Sequence, residues 1–442
     1  MTTAITIGMI IIYVAIMMGI GVYTARQTRS VSDFVLGSHS VGSWLTAFAY
    51  GTSYFSAVVF IGYAGQFGWT YGVSAAWVGV GNALLGSLLA WIVLGRRTRI
   101  MTQSLGAKTM PEYFEKRWNS KGLKIAAALI VFVFLIPYTA SVYNGLSRLF
   151  NMAFQIESEG AYKIIIIVMA LLTAIYVILG GYAATAINDF IQGIVMLIGI
   201  AAVVICAIQN QGGLTSALAA LGEIEVNGKT NTLNSVFGPD PLNLLGVVIL
   251  TSLGTWGLPQ MIHKFYAIKS ENDIKKGAVI STVFALIVAG GSYLLGGFDR
   301  LFCTLTEDGS GKTVISTLSN GKPDFDAMIP SLLHTALPDI LIGLVVVLVL
   351  SASMSTLSSL VLTSSSTLTI DLIKPNLKKC SDKKEMLIMR VLIAVFLVIS
   401  VLLAFNKNAS ISTLMSYSWG ALAGAFLGPF MYGLFSRKIT KP

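Results

Sequence analysis

Ten hydroxyl side chains stand close together within an apolar segment near the end of this chain. Residues 341–350 are nearly all Val, Leu and Ile, and the serines and threonines follow between residues 351 and 366. On an α-helix, positions at i, i+3, i+4, i+7 and i+11 share one face, and here these are Ala352, Ser355, Thr356, Ser359 and Thr363. A hard cation such as sodium prefers oxygen ligands, and hydroxyls with free carbonyls supply them without a buried fixed charge. The stripe therefore predicts a cation site at membrane depth.

The hydroxyl run has a second interpretation, in which the side chains only support helix packing. Serine and threonine hydroxyls can bond back to the carbonyl of residue i−4 and let helices approach closely. We prefer this role for Ser364, Ser365 and Ser366, which lie near the predicted cytoplasmic end of the segment. For Ser355 and Thr356, both interpretations stay open on the residues of this segment alone.

Two other apolar segments are interrupted in a way that ordinary membrane spans are not. Residues 50–56 run YGTSYFS and residues 254–260 run GTWGLPQ. Glycine is permissive and proline removes a backbone donor, so carbonyls near such breaks lose their partners and can turn to an ion. The breaks fall five segments apart, and matched breaks in two halves indicate an inverted-repeat transporter with a site at the midplane. Alternatively, Gly and Pro are simply common in membrane helices.

The elements that must position these groups are membrane helices. The chain has 442 residues, of which 55% are hydrophobic and 11% charged, and its mean hydropathy of +0.77 excludes an ordinary soluble protein. A spanning helix needs roughly 20 apolar residues. We identify about eleven such segments, centred near residues 14, 52, 84, 137, 170, 197, 254, 288, 350, 396 and 424. The first has no basic region before it and no cleavage site after it, so we expect a retained helix.

The net charge of +10 predicts topology and not a nucleic-acid partner. Alternate loops on one side carry 23 of the 30 Lys and Arg residues, Lys264 among them, and the opposite side carries six. Positive residues favour the cytoplasmic side. We therefore predict a multi-pass protein of the cell membrane (inner or plasma membrane) with its N-terminus outside and its C-terminus in the cytoplasm.

Cysteine and histidine usage gives no sign of catalysis. The three cysteines show no paired spacing and the three histidines are scattered; they are Cys206, Cys303, Cys380, His39, His263 and His334. This excludes a disulfide framework and suggests neither a zinc site nor a nucleophile pair. We expect a protein that is not an enzyme.

Asp189 is the other candidate for ion chemistry. An acid that enters a helix core costs roughly 3 kcal/mol when it is unpaired at the membrane centre, and a cation partner would remove that cost. Asp189 lies close to the predicted cytoplasmic start of the sixth segment, so a water-exposed helix N-cap is the alternative. For Arg148, near the outer end of the fourth segment, we expect snorkelling to the interface.

Three motifs carry a family resemblance. Residues 179–192 (LGGYAATAINDFIQ), 109–117 (TMPEYFEKR) and 354–358 (MSTLS) stand in the order found in the sodium/solute symporter family. The chain resembles the proline, pantothenate and sugar branches of that family over essentially its whole length. The resemblance implies an all-α membrane protein with the LeuT-type five-plus-five inverted repeat, as one transporter domain over residues 1–442. Within it we expect an extra helix at about 1–38 and repeats at about 39–210 and 241–436.

The resemblance also implies binding residues for Na+ and for a solute. The carbonyls of Thr52, Phe55 and Ala352 and the hydroxyls of Ser355 and Thr356 would hold one sodium ion. A possible second sodium site would use Asp189, Ser358 and Ser359. By position, the solute pocket would be lined by Ser53, Tyr54, Ser56, Tyr138, Trp256 and Gln260. These groups suit a small polar organic solute such as an amino acid, a monocarboxylate or a pantothenate-like compound.

The expected function is sodium-coupled import of that solute by alternating access in the lipid bilayer. Two alternatives are a sodium-selective channel or leak pathway, which would use the same oxygen groups, and a transporter-like membrane sensor. Broken helices at the midplane favour a carrier.

Relatives in the family commonly have one or two more helices after the tenth core helix. Here the chain stops at Pro442, soon after the eleventh segment. We therefore expect a truncated or short variant in which the core repeat is complete.

Overall fold

A computed structural model gives the architecture of the chain. It describes all residues except 1, 27, 40, 156–157, 308, 310, 319–320, 378–380, 406–409 and 437–442. Cys380 and Pro442, which the sequence analysis named, lie outside the described residues. The described part forms eighteen α-helices and one short parallel pairing of Cys303–Thr304 with Thr313–Val314.

The helices follow one another with short connections. In chain order the α-helices are α1 (Thr2–Ala25), α2 (Val31–Leu36), α3 (Ser43–Tyr54), α4 (Ala64–Tyr71), α5 (Ala76–Gly81), α6 (Arg96–Leu105), α7 (Met110–Trp118), α8 (Lys121–Phe154), α9 (Glu159–Asn210), α10 (Leu214–Glu223), α11 (Pro241–Leu253), α12 (Pro259–Ala267), α13 (Glu271–Gly296), α14 (Asp299–Phe302), α15 (Met328–Ala336), α16 (Asp339–Thr367), α17 (Asp382–Ala404) and α18 (Ile411–Phe435). Turns of 3-10 or π-helix join several of them, at Gly37–His39, Val58–Tyr63, Gly72–Ala75, Asn82–Leu88, Trp91–Gly95, Gly254–Gly257, Phe325–Ala327, Leu368–Ile373 and Lys374–Asn376.

Several helices are long and apolar enough to cross a membrane. Among the described residues there are seven, or eight if the bent pair at residues 241–267 counts as one span. The stretches Val58–Leu105 and Glu159–Asn210 contain 48 and 52 residues, so each would exceed about 70 Å if straight, against a hydrocarbon core of about 30 Å. Each of them breaks at a glycine with positive φ, Gly72 at 63° and Gly181 at 56°. The total of about eleven spans stays a prediction.

The predicted break in the second apolar segment is confirmed. Helix α3 ends at Tyr54, and Phe55 adopts an extended conformation with φ −91° and ψ 118°. The chain resumes helical geometry at Ala57 and continues through a π-helical turn into α4. Because the N–H groups of Val59 and Phe60 both donate to the Ser56 carbonyl, the carbonyls just before the break are available to other groups.

The predicted break in the seventh segment is also present. Helix α11 passes into the 3-10 turn Gly254–Gly257, and Leu258 is extended with φ −84° and ψ 119°. Pro259 then opens α12 at a position where its missing N–H has no cost. The two parts of this span meet at an angle of 53°.

Helix α16, which carries the hydroxyl run, lies at the centre of the bundle. Every residue from 345 to 367 is buried, and the helix packs against α9, α8, α1, α3 and α12. A helix buried on all sides needs no polar face for solvent. Its many hydroxyls therefore require partners within the protein.

Helices α4 and α13 touch through their backbones. A Cβ atom added to Gly68 would lie 2.0 Å from the carbonyl carbon of Gly296, and one added to Gly296 would lie 2.1 Å from the carbonyl oxygen of Ala64. Small residues permit such contact between membrane helices. We call the contact of Gly68 and Ala64 with Gly296 the glycine seam.

Candidate functional site

Five oxygen-bearing residues meet where the break after α3 faces the middle of α16. The Ser355 hydroxyl lies 3.1 Å from the Thr52 carbonyl oxygen and 3.0 Å from the Ala352 carbonyl oxygen. The Thr356 hydroxyl lies 3.4 Å from the carbonyl oxygens of both Thr52 and Phe55. We call these five residues the carbonyl–hydroxyl cluster. They are the residues that the sequence predicted for the first sodium ion, and the structure brings all of them together.

The chemistry of the carbonyl–hydroxyl cluster suits a cation. Its five residues are fully or almost fully buried and none of them carries a charge. The hydroxyls donate to carbonyls here, and rotation about the Cβ–O bond would turn their lone pairs inward. The side-chain oxygen of Thr52 is buried without a hydrogen-bond partner. Neutral oxygens from two helices therefore converge on one point, as a hard monovalent cation requires.

A second polar cluster lies one turn further along α16 and contains a buried ammonium group. The Lys264 Nζ atom lies 3.0 Å from the Ser359 hydroxyl and 3.6 Å from Oδ2 of Asp189. The Ser359 hydroxyl is also 2.8 Å from the hydroxyl of Ser53. We call Lys264, Asp189, Ser359 and Ser53 the lysine cluster. It joins α12, α9, α16 and α3.

The position of Lys264 corrects two sequence interpretations. We counted Lys264 among loop charges, but its side chain is only 2% exposed and lies within α12. The water-exposed N-cap considered for Asp189 is also wrong, because this residue is 1% exposed and lies inside α9. The cation partner that a buried acid needs is thus a lysine.

The three residues of the second predicted sodium site do not share one environment. Ser359 belongs to the lysine cluster, whereas the Ser358 hydroxyl donates to the Ser355 carbonyl at 2.9 Å. No hydrogen bond of normal geometry from the described residues reaches the Asp189 carboxylate, and Lys264 is the charged group beside it, at 3.6 Å. The predicted ligands Asp189, Ser358 and Ser359 therefore do not form one open set of oxygens in the described part of the chain.

Aromatic side chains from three helices meet beside the α3 break. The Trp419 ring lies 6.0 Å from the Tyr54 ring and 6.3 Å from the Tyr138 ring, measured between centroids. The Tyr138 hydroxyl approaches Ser56 and Trp419, yet neither this hydroxyl nor the Trp419 indole N–H makes a hydrogen bond of normal geometry. Two buried polar groups thus face each other unsatisfied, which is costly unless a ligand or water completes them.

Some of the other predicted pocket residues have hydrogen-bond partners for their polar atoms, and some do not. Both amide atoms of Gln260 are buried without a partner. The Tyr54 hydroxyl donates to the Thr251 carbonyl at 3.3 Å, and the Trp256 indole N–H donates to the Leu85 carbonyl at 3.1 Å. Ser56 accepts from the Val58 N–H at 3.2 Å. The Ser53 hydroxyl belongs to the lysine cluster. Of the six predicted pocket residues, Tyr138 and Gln260 are therefore the two whose side-chain polar atoms have no hydrogen-bond partner among the described residues.

A cavity of about 380 Å³ lies between the two broken spans and α18. It is lined by residues of the broken spans and α18, including Tyr63, Phe67, Thr251, Ser416 and Tyr417. Leu318, Pro323 and Phe325, which precede α15, also line it. Its volume falls within the range of small-molecule sites. Thr251 connects this cavity to the aromatic side chains at the α3 break, because the Thr251 carbonyl accepts a hydrogen bond from the Tyr54 hydroxyl.

Two of the three serines at the end of the hydroxyl run have partners within their own helix. The hydroxyls of Ser365 and Ser366 donate to carbonyls of α16 itself, as expected for a packing role, whereas the Ser364 hydroxyl is buried without a hydrogen-bond partner in the described part of the chain. Arg148 forms an ion pair with Asp324 at 2.8 Å and is therefore tied to the loop before α15.

Comparisons with known proteins place the chain in a family. Residues 34–442 match the model of the sodium:solute symporter family. A sodium/proline symporter of Staphylococcus aureus (strain JH9) is 30% identical over an alignment of 443 positions, which covers 98% of this chain and 81% of the relative. The same values hold for the sodium/proline symporter of strain USA300.

The fold has counterparts among solved structures. A Na+-coupled sialic acid symporter, in a substrate-bound outward-open state, matches 99% of this chain and 88% of its own with a TM-score of 0.77 at 18% identity. A transporter of the nucleobase-cation-symport-1 family, in a closed conformation, matches with a TM-score of 0.57 at 14% identity, over 90% of this chain and 78% of its own. The predicted LeuT-type fold is confirmed.

The predicted class of function is confirmed as well. The chain is a multi-pass membrane transporter that couples sodium to a solute, and its family is one of transporters and not of enzymes. The channel and sensor alternatives are not favoured. Sodium is the coupling ion. The match over residues 34–442, the whole-chain relatives and the shared helical architecture lead to one conclusion. The chain belongs to the sodium:solute symporter family.

Proposed function

We propose that the carbonyl–hydroxyl cluster binds the coupling sodium ion. The observation that carries this proposal is the convergence of five neutral oxygens from the α3 break and α16, with the two hydroxyls 3.0–3.4 Å from the three carbonyl oxygens. An ion at this point would replace those hydrogen bonds with shared coordination. It would thereby hold the broken helix against the central helix.

The ion would then set the order of the transport cycle. We propose that the N-terminus lies outside and the C-terminus in the cytoplasm of the cell membrane, and that the cavity near Tyr63 and Thr251 opens outward. Sodium at the α3 break would stabilise the solute pocket next to it. Release of the ion into the cytoplasm would weaken the contact between α3 and α16 and also the solute pocket.

The sodium gradient and the membrane potential together supply the driving force. At a membrane potential of 100 mV, one positive charge moving inward releases about 2.3 kcal/mol, and a tenfold sodium gradient adds about 1.4 kcal/mol. One sodium ion could thus concentrate a neutral solute on the order of 500-fold.

The solute that fits best is a small amino acid of about the size of proline. Three groups near the helix breaks have unsatisfied polar atoms: the Tyr138 hydroxyl, the Trp419 indole N–H and the Gln260 amide. They are neutral, so they suit a solute without net charge, and the aromatic rings offer it an apolar surface. The similarity to sodium/proline symporters supports testing proline first. A monocarboxylate and a pantothenate-like compound are the other candidates.

Uptake by the purified full chain in proteoliposomes tests this proposal. Labelled proline, a monocarboxylate and pantothenate would be supplied under an inward sodium gradient or an equal potassium gradient. We expect saturable uptake of one of them with sodium, and a KM about tenfold higher in Tyr138→Phe and Gln260→Ala, since each loses one hydrogen bond to the solute.

Ser292→Ala is the matched control, because that hydroxyl only donates to Val288 of its own helix. Its KM should equal that of the unmodified protein. An unchanged KM in both pocket variants would contradict the assigned pocket. Uptake that is equal in potassium would contradict the assigned coupling.

A further inference from the structure

Lys264 places a fixed positive charge where the family resemblance implies a second sodium ion. Building on the proposed sodium site, we propose that the Lys264 ammonium is a tethered cation that takes the place of a second sodium. The transporter would then couple one sodium ion to each solute. Lys264 determines the stoichiometry of coupling in this proposal.

The contacts of the ammonium group are those that a bound cation would make. Its Nζ atom lies 3.0 Å from the Ser359 hydroxyl and 3.6 Å from a carboxylate oxygen of Asp189. It also lies 5.3 Å from the centre of the Tyr182 ring, within the distance at which cations are attracted to aromatic faces. One hydroxyl, one carboxylate and one ring thus surround the charge, and all are buried.

The backbone of α12 fixes the ammonium in this place. Pro259 begins the helix after the break, and Lys264 follows in its second turn. Gln260 lies four residues before Lys264, so both side chains project from the same face of α12. Lys264 is therefore attached to α12, the second half of a broken span, which is adjacent to the proposed solute pocket.

A sodium ion at Asp189 would meet strong repulsion from Lys264. Two unit positive charges about 4 Å apart in a protein interior disfavour binding on the order of a thousandfold. The oxygen set is also incomplete, because Ser358 donates to the Ser355 carbonyl and Ser359 already contacts Lys264 and Ser53. The residues present therefore do not fit a second ion while Lys264 is in place.

A cation that is covalently attached to the protein does not contribute to the driving force for transport. A bound ion leaves the protein in each cycle and carries its charge across the membrane, whereas Lys264 returns with the protein. The charge of Asp189 is compensated throughout, but this compensation moves no charge per turnover. One sodium ion would limit accumulation of a neutral solute to the order of 500-fold at 100 mV and a tenfold gradient, where two ions would allow the square of that ratio.

Binding of radioactive sodium to the purified full chain tests the proposal. We expect one ion per chain for the unmodified protein. Lys264→Met removes the ammonium and leaves Asp189 facing a gap, so we expect two ions per chain and a Hill coefficient for sodium-driven uptake that rises from near one toward two. The double variant Lys264→Met with Asp189→Asn has no charge at this position and should return to one ion.

Lys275→Met is the matched control, because this lysine is exposed on α13, and it should bind one ion. Since Lys264→Met leaves a buried carboxylate uncompensated, all proteins are purified both in sodium and in choline buffer. A variant that is stable only in sodium would support the proposal. Two ions bound to the unmodified protein, or one ion in folded Lys264→Met, would overturn it.

The experiment also separates this proposal from the proposed sodium site. Ser355→Ala with Thr356→Ala should bind no ion if the carbonyl–hydroxyl cluster is the one site of the unmodified protein. One remaining ion in that variant would overturn the assignment of the first site and, if Asp189→Asn removed it, the tethered-cation proposal as well.

Discussion

The two polar clusters on α16 lie about one helical turn apart and differ in charge. The carbonyl–hydroxyl cluster is neutral and offers oxygens from Thr52 and Ser355 without a cation. The lysine cluster carries its own cation, because Lys264 faces Asp189 and Ser359. A bound cation would stabilise the neutral set of oxygens, and it could bind and leave in each cycle. The Asp189 carboxylate already has the Lys264 ammonium beside it, so a further cation would add no stabilisation. Neighbouring hydroxyls on one helix thus acquire different roles from the helices that they face.

The largest expected effect is the loss of sodium binding at the carbonyl–hydroxyl cluster, which is the neutral cluster of the two. Ser355→Ala with Thr356→Ala removes both hydroxyls that contact the α3 carbonyls. At a sodium concentration about 100 times the dissociation constant, bound sodium stabilises the folded protein by about 2.7 kcal/mol. We expect the variant to lose this sodium-dependent rise in melting temperature and all sodium-driven uptake.

Ser365→Ala with Ser366→Ala is the comparison for this effect. Both hydroxyls belong to the same helix but donate only to carbonyls of α16. This variant should keep the sodium-dependent rise in melting temperature. If the two double variants behaved alike, the neutral cluster would have no special role.

A second prediction concerns the charged pair. Removal of one member of a buried ion pair costs about 3–5 kcal/mol, because the other charge remains uncompensated. We therefore expect a strongly lowered melting temperature for Asp189→Asn, and for Lys264→Met in sodium-free buffer. The double variant should be more stable than either single variant. Strictly additive losses in this mutant cycle would show that the two groups do not interact.

A smaller effect is expected for the hydroxyl that contacts the ammonium. Ser359→Ala removes a hydrogen bond to a charged group, which contributes about 1.5–3 kcal/mol. Ser358→Ala removes a bond to a carbonyl of its own helix, which contributes about 0.5–1.5 kcal/mol. We expect the melting temperature to fall further for Ser359→Ala, and equal losses would place the ammonium away from Ser359.

The sequence predicted the elements of the neutral cluster well, because its signals are local. The glycines and the proline mark both helix breaks, and the spacing of Ser355 and Thr356 puts them on one helical face. The resemblance then joined the two segments, and the structure brings their oxygens within hydrogen-bond distance. Local chemistry and one long-range pairing were sufficient here.

The sequence did not predict the lysine cluster, because charge counting treats every lysine near a span as a loop residue. The signal that could have revealed Lys264 is its position, four residues after Gln260 in a short helix that begins at Pro259. The cost of a buried Asp189 also required a partner that was left unnamed. Trp419 was missed for a different reason, since an aromatic residue in an apolar helix carries no periodic signal.

The glycine seam limits how far α4 and α13 can shift against each other. Between α4 and α13 the main chains of Gly68 and Gly296 touch with no side chain to change rotamer, so relative displacement there would cause immediate overlap. We therefore expect α4 and α13 to move together as one rigid unit. Bending would then concentrate around Phe55, where the backbone is extended, next to the proposed ion site. An ion bound there would fix the angle between α3 and this unit, so that one small cation would control the position of two helices.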